Sequence, residues 1–244
     1  MNNLENILKL TIPFHLYWVA IIAIIYIIIH KYREYKVTRV LDVYLNYIPV
    51  LTHEIGHIIF NRLGGGKADD LVIVVSPTER METSQQGFAV TRSKSRLGQI
   101  ITTLGGYIMP PMMLYLGIFT IQNQKPSLFI IAYLVIFIYY LFITSRKLVP
   151  LAVALLLTFA LVLLFKHDTP VMMNMVLNIA YHFILGVLLG EVIQSSVTIA
   201  KLTVSKDAPT WDGSMLKTLT HLPTFLYSFI WIAFNFFTVW QLFG

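Results

Sequence analysis

The amino-acid sequence predicts an all-α polytopic membrane protein of about seven transmembrane helices, with a small β-hairpin inserted after the second apolar span. Three observations predict it. Apolar residues make up 57% of the 244 positions and charged residues 12%, and the mean hydropathy is +0.71. A soluble chain of this length has too little interior to hide that much apolar surface. The apolar residues are gathered into long blocks, as membrane helices require. The strand-like runs Leu71–Val75 and Gly87–Thr91 lie on either side of a polar stretch with Pro77, which reads as a hairpin.

Taken in order, the first span runs from Thr11 to Ile29 and ends at His30-Lys31-Tyr32-Arg33. It is too long for a signal-peptide core, and no small-residue cleavage site follows it, so it reads as an uncleaved membrane helix. His15 within it reads as an interfacial polar residue. Lys31 to Tyr47 mixes basic residues with Val37, Val40, Leu41, Tyr44 and Leu45 at helical spacing, which suits an amphipathic connector on the membrane surface. The second span, Ile48 to Leu63, is short for a lipid crossing and ends at Gly64-Gly65-Gly66. After the hairpin, Leu97 to Ile121 contains Gly105-Gly106 and Pro110-Pro111. Paired Gly admits a neighbouring helix closely, and paired Pro interrupts the hydrogen-bond ladder in mid-membrane. Further spans are expected at Leu128–Ile143, Leu148–Phe165 and Met172–Ile193, followed by a polar connector, Ser195–Thr220, and a last span, His221–Phe243. The chain thus divides into an N-terminal helix with its connector, about 1–47, and a membrane-embedded core, 48–244. Within the core the hairpin covers about 70–92 and the late connector about 195–220.

The second span carries Leu51-Thr52-His53-Glu54-Ile55-Gly56-His57, an HExxH motif. Four positions apart on a helix, His53 and His57 project from one face and can share a metal. That is the zinc hydrolase arrangement: two His ligands, a distant third ligand, and a Glu that takes the proton of an activated water. The bland alternative is a chance match with two hydrogen-bonded His and a paired Glu. The cost of three such groups among apolar residues weighs against it. With no Cys in the chain, thiolate ligands, disulfides and a Cys nucleophile are excluded.

The third ligand has two candidates. Glu191 is an ionisable residue near the end of a span, a reserve metal or polar site, although its partner His182 points to another helix face. Asp212 lies in the late connector. Four crossings separate that connector from the hairpin, so Asp212 returns to the side of the HExxH helix while Asp168 falls opposite. The Gly after Asp212 would let the backbone turn the carboxylate into the cavity.

This combination resembles the site-2 protease family of intramembrane zinc metalloproteases, in its compact bacterial "M-fifty B-like" branch. The matching stretches are Leu51–His57, the hairpin with Gly87, Gly105-Gly106-Tyr107 with Pro110-Pro111, and Trp211-Asp212-Gly213 running through Leu222-Pro223. The resemblance implies one Zn2+ held by His53, His57 and Asp212, Glu54 as general base, and a membrane-embedded hairpin beside the site. It also implies substrate contacts at Gly105, Gly106, Tyr107 and Pro110. The expected partners are a membrane-anchored protein or peptide and the bilayer of a bacterial cell membrane, with no nucleic acid. Two departures matter: the Asn that better-characterised members place after the Gly-Pro segment is missing from Tyr107–Met112, and the 244 residues leave no room for a PDZ or CBS domain.

The net charge of +6 fits loops enriched in Lys and Arg on the cytoplasmic face. With the hairpin loop inside, 12 of the 18 basic residues fall there, and the active site faces the cytoplasm. Lys31, Arg33, Lys36 and Arg39 are then left outside. Three other readings stay open: a catalytically inactive relative that binds membrane partners, an HExxH protease cutting in a soluble chamber with a Glu ligand, and a transporter. The intact HExxH, the lack of a long soluble segment after it and the lack of repeated halves count against these in turn.

Overall fold

The computed structural model describes residues 12–155 and 170–243, with side chains from 175 onward in the second stretch. In chain order the elements are α1 (Leu16–Lys31), α2 (Lys36–Leu45), α3 (Tyr47–Leu63), β1 (Lys67–Ile73), α4 (Pro77–Thr83), β2 (Gly87–Arg92), α5 (Arg96–Gln122) and α6 (Pro126–Ile143). They continue with α7 (Pro170–Val204), α8 (Asp212–Thr220) and α9 (Thr224–Trp240). A further helical stretch occupies 148–155. The rest of the span expected at Leu148–Phe165, and Asp168 with it, lie outside the described residues.

Among the described residues three helices are long and apolar enough to cross a membrane, Arg96–Gln122, Pro126–Ile143 and Met175–Val204. Two shorter apolar helices, α1 and α9, accompany them. The expected count of about seven spans is therefore met only in part. The HExxH helix belongs to neither group, because His53, Glu54, His57, Asn61 and Arg62 interrupt its apolar surface. It is instead held inside the protein, with ten of its 17 residues buried.

Three contacts hold α3 there. Gly56 and Gly105 bring α3 and α5 backbone to backbone: a Cβ on Gly56 would stand 2.4 Å from the Gly105 carbonyl oxygen. Such small-residue contacts are the usual means of close helix packing in lipid, where apolar surface alone gives no drive to associate. One turn before Gly56, Thr52 shares a 3.0 Å hydrogen bond with the Tyr133 hydroxyl of α6. The hairpin covers a third side.

The outer helices pack by the same logic. Val19, Ala23 and Tyr26 form the buried stripe of α1, while Trp18, Ile21, Ile25 and Ile28 are exposed, as on a lipid-facing helix. The stripe meets Gly186 and Gly190 of α7, where a Cβ would strike Ile22 and the Tyr26 ring. His15 pairs with His182 at one end and Tyr26 with Glu191 further along, so α1 and α7 run in the same direction.

The hairpin forms as expected but begins earlier. β1 and β2 are antiparallel, with Leu71 opposite Ala89, Ile73 opposite Gly87 and an irregularity between Ala68 and Asp70. The first half of β1 is Lys-Ala-Asp-Asp, which carries no strand composition; pairing with β2 decides it. The tip is not a loop. Ser76-Pro77-Thr78-Glu79 is a helix start, with Ser76 Oγ accepting the Glu79 N–H at 3.3 Å, and it opens α4. Glu79 then pairs with Arg146, whose hydrogen bond holds the Glu79 carboxyl below the usual carboxylate range.

Two other expectations change. The polar connector Ser195–Thr220 is largely helical, since α7 continues to Val204 and α8 begins at Asp212. The basic block Lys31–Arg39 does not lie opposite the hairpin. Arg33 lines the same cavity as Lys201 and Asp212, and Arg80 of α4 reaches Asp42 of α2 at 4.0 Å. The chain passes from α1 through α2 and α3 to the hairpin without changing ends, because α3 dips into the protein rather than crossing it.

Candidate metal centre

His53 and His57 sit on the face of α3 that meets α5. Their Nε2 atoms are 3.2 Å apart and the rings stand edge to face. Asp212, from the other end of the chain, points its Oδ2 at both, 3.4 Å from His53 Nε2 and 3.5 Å from His57 Nε2. One donor atom from each of the three residues therefore lies within 4.8 Å of the others. Among the described residues this is the group of His, Asp and Glu side chains that could hold a metal ion.

The spacing carries chemical information. A tetrahedral ion with ligand bonds of about 2.0–2.1 Å sets its donor atoms about 3.3–3.4 Å apart, and the three edges here scatter around that value. The orientation is also fixed. His57 Nδ1 donates to the Thr102 carbonyl at 2.9 Å, which leaves Nε2 as the free lone pair. Burial raises the Asp212 carboxyl, but the facing imidazoles of His57 and His53 outweigh it and hold the group below the usual carboxylate range. The donor set of two imidazoles and one carboxylate is the type that zinc takes in hydrolytic sites, with one position left for water.

Local sequence explains how Asp212 arrives. It is the first residue of α8, where the helix dipole favours a carboxylate, and Ser214 Oγ accepts the Trp211 N–H at 2.9 Å. The expected turn at Asp212-Gly213 is absent. Gly213 has no left-handed backbone, and its lack of a side chain instead admits the Trp211 ring, which a Cβ would meet at 2.5 Å. Arg96 at the start of α5 fixes the far end of α8 by donating from Nε to the Leu219 carbonyl at 2.5 Å.

Glu54 is buried beside the pair, with the Ala89 backbone of β2 hydrogen-bonded to it. Gly87 lies against its stem. Both Glu54 and the His53 ring open onto a cavity of about 600 Å3, whose lining includes Gln86, Gly87, Tyr107, Glu191, Trp211 and Asp212. Glu191, the reserve site, is on this wall but outside the three-residue group.

Of the four residues tied to substrate contact by resemblance, Tyr107 lines the cavity, its ring edge-on to His53 at 4.8 Å. Gly105 faces Gly56 and Phe60 of α3, Gly106 faces the two imidazoles, and Pro110 is buried in the helix interior. The two prolines do not break α5, which runs continuously from Arg96 to Gln122. Having no N–H, they leave the carbonyls of Gly106 and Tyr107 without their helical donors. Sequence reasoning missed Thr102, whose only signal was its place on the helix facing α3.

Gly106 yields a test of the geometry. A Cβ there would stand 2.5 Å from His57 Nε2 and 2.6 Å from His53 Nε2. Gly106→Ala is expected to weaken zinc binding by about tenfold or more in a chelator competition, although it removes no donor atom. Unchanged affinity would mean the α3–α5 contact is looser than described.

A family model described as Peptidase M50B-like matches residues 17–242, nearly the whole chain. No curated protein and no solved structure matches the chain at a significant level.

Proposed function

Because the chain belongs to the M50B-like peptidases of the site-2 protease family, we propose that it is an intramembrane zinc metalloprotease acting on membrane-anchored protein or peptide segments. The observation that carries the reading is the triangle of His53 Nε2, His57 Nε2 and Asp212 Oδ2, with edges of 3.2, 3.4 and 3.5 Å. It is a set suited to one tetrahedral Zn2+ in a protein with three membrane-length helices among its described residues.

A bound zinc supplies Lewis acidity toward a water and a peptide carbonyl. Glu54 accepts the proton of the attacking water and passes it to the nitrogen of the departing amine. Glu54 is held against the hairpin and reaches water only through the cavity, and the Ala89 backbone holds the carboxylate in place. The edge of β2 offers main-chain groups to a segment in extended form, which a helical substrate must adopt before its peptide bond can be attacked. Tyr107 of α5 lines the same cavity. Charge supports a cytoplasmic active site: with Lys31–Arg39 at the same end as the hairpin, the basic residues gather at that end.

The test is cleavage of a single-span reporter protein by the purified enzyme in detergent. Chelation is expected to stop cleavage, and stoichiometric zinc to restore it. Cleavage that survives complete removal of metal would exclude the mechanism. A folded protein that binds no zinc would favour a role in holding membrane partners.

A further inference from the structure

The wall of the cavity contributed by α7 is a polar stripe. Glu191, Gln194, Thr198 and Lys201 all line it, and their spacing of three, four and three positions keeps them on one helix face. The stripe runs outward from the metal centre. Glu191 is close enough to His53 for their charges to interact, and Lys201 is ten positions further on, about 15 Å along the helix axis. A second cation reaches the same end from α1. Tyr26 meets Glu191, the two helices run in the same direction, and Arg33 follows Tyr26 by seven positions. Arg33 and Lys201 thus line the outer part of one cavity from two different segments of the chain.

Basic residues gathered at one end of a membrane protein ordinarily report only its topology. These two differ from Lys31, Lys36, Lys206 and Lys217, which do not line the cavity. Their charges are also uncompensated. Both side chains are exposed, and among the described residues neither stands in an ion pair. Arg33 Nη1 meets His30 Nε2 at 3.1 Å, which leaves the rest of its guanidinium fork open. No acidic residue lies one helical turn from Lys201 in either direction. The carboxylates that line the cavity, Glu54, Glu191 and Asp212, are gathered around His53 instead.

We propose that Arg33 and Lys201 select a substrate that carries an acidic side chain on the polar flank of its cleaved region. The inference rests on the peptidase reading above and adds the substrate's charge to it. An extended chain rises about 3.3 Å per residue, so the acid belongs about four to five residues from the part of the peptide beside Glu191. The pair discriminates by repulsion as well. With the site on the cytoplasmic side, the flank that enters past Arg33 and Lys201 is the one that membrane proteins commonly enrich in Lys and Arg. Two fixed cations disfavour such flanks and draw in an acidic one.

The test is peptide affinity on a Glu54→Gln background, in neutral detergent, so that no turnover is needed. The probes are synthetic single-span peptides with a Gly-Pro centre and polar flanks, in which one Glu, Gln or Lys is walked outward from the centre. At positions about four to five residues out, Glu is expected to bind about five- to tenfold tighter than Gln, and Lys weaker than both. The preference should shrink in about 0.5 M salt, because both cations are exposed. Arg33→Gln combined with Lys201→Gln is expected to erase the preference, and Lys201→Glu to turn it toward Lys. Lys206→Gln, an exposed neighbour outside the cavity, should keep it. Zinc retained at wild-type stoichiometry shows that each variant is folded. Glu, Gln and Lys bound alike at every position, or a preference that survives the double substitution, overturns the proposal and leaves the protease reading intact. A wild type that binds none of the peptides and cleaves no reporter removes both.

Discussion

Glu54→Gln is expected to abolish peptide hydrolysis and leave the zinc in place. The two side chains have the same shape, so the amide fits against Gly87 and under the Ala89 backbone as the carboxylate does. What is lost is the ability to take a proton from water and return it to the amine. General acid–base participation of this kind contributes about 10²–10⁴-fold, and in the proposed mechanism Glu54 serves both halves of the reaction, so the loss should lie at the upper end. Zinc content and single-turnover cleavage, measured on the same preparation, separate the two effects. Cleavage within a few-fold of wild type would refute the role of Glu54. Loss of zinc along with activity would instead assign Glu54 to the metal.

His53→Ala and Asp212→Ala are each expected to take the purified protein from about one zinc per chain to nearly none. Loss of an outer-shell partner alone costs a metal site about 10–100-fold in affinity, and loss of a ligand costs more. Asp212 is the sharper of the two, because it comes from a helix remote in sequence and its Oδ2 completes the triangle. Glu191→Ala should retain the metal, since Glu191 is outside the three-residue group. Zinc lost with Glu191→Ala and kept with Asp212→Ala would reverse the two roles and break the match to the family pattern.

The parts of this protein legible in its sequence are those written by local rules. HExxH spacing put His53 and His57 on one helix face, paired Gly announced the close approach at Gly105, and the β-branched run Leu71–Val75 announced a strand. Asp212 was reached by counting membrane crossings and strengthened by resemblance. What escaped depended on tertiary contact. α3 looks like a weak span, and only its burial between α5, α6 and the hairpin reveals that it dips in and returns. That dip moved four basic residues to the other end of the molecule. Gly213 was assigned a turn because Asp-Gly usually makes one, whereas its purpose is set by the Trp211 ring lying over it. The chain from Arg33 through His30, Asp42, Asn46 and Tyr26 to Glu191 joins three helices, and no periodicity in one of them announces it.

The late position of Asp212 has a consequence for biogenesis. About 155 positions separate it from His57. At ribosomal rates of about 5–20 residues per second, roughly 8–30 s pass between synthesis of the first two ligands and the third. During that interval the nascent chain already holds the HExxH helix and the hairpin but not the third donor. An incomplete donor set keeps it harmless. On the proposed function, activity arises only when the last helices are delivered, so the order of insertion into the membrane would do the work that a removable pro-segment does in secreted enzymes.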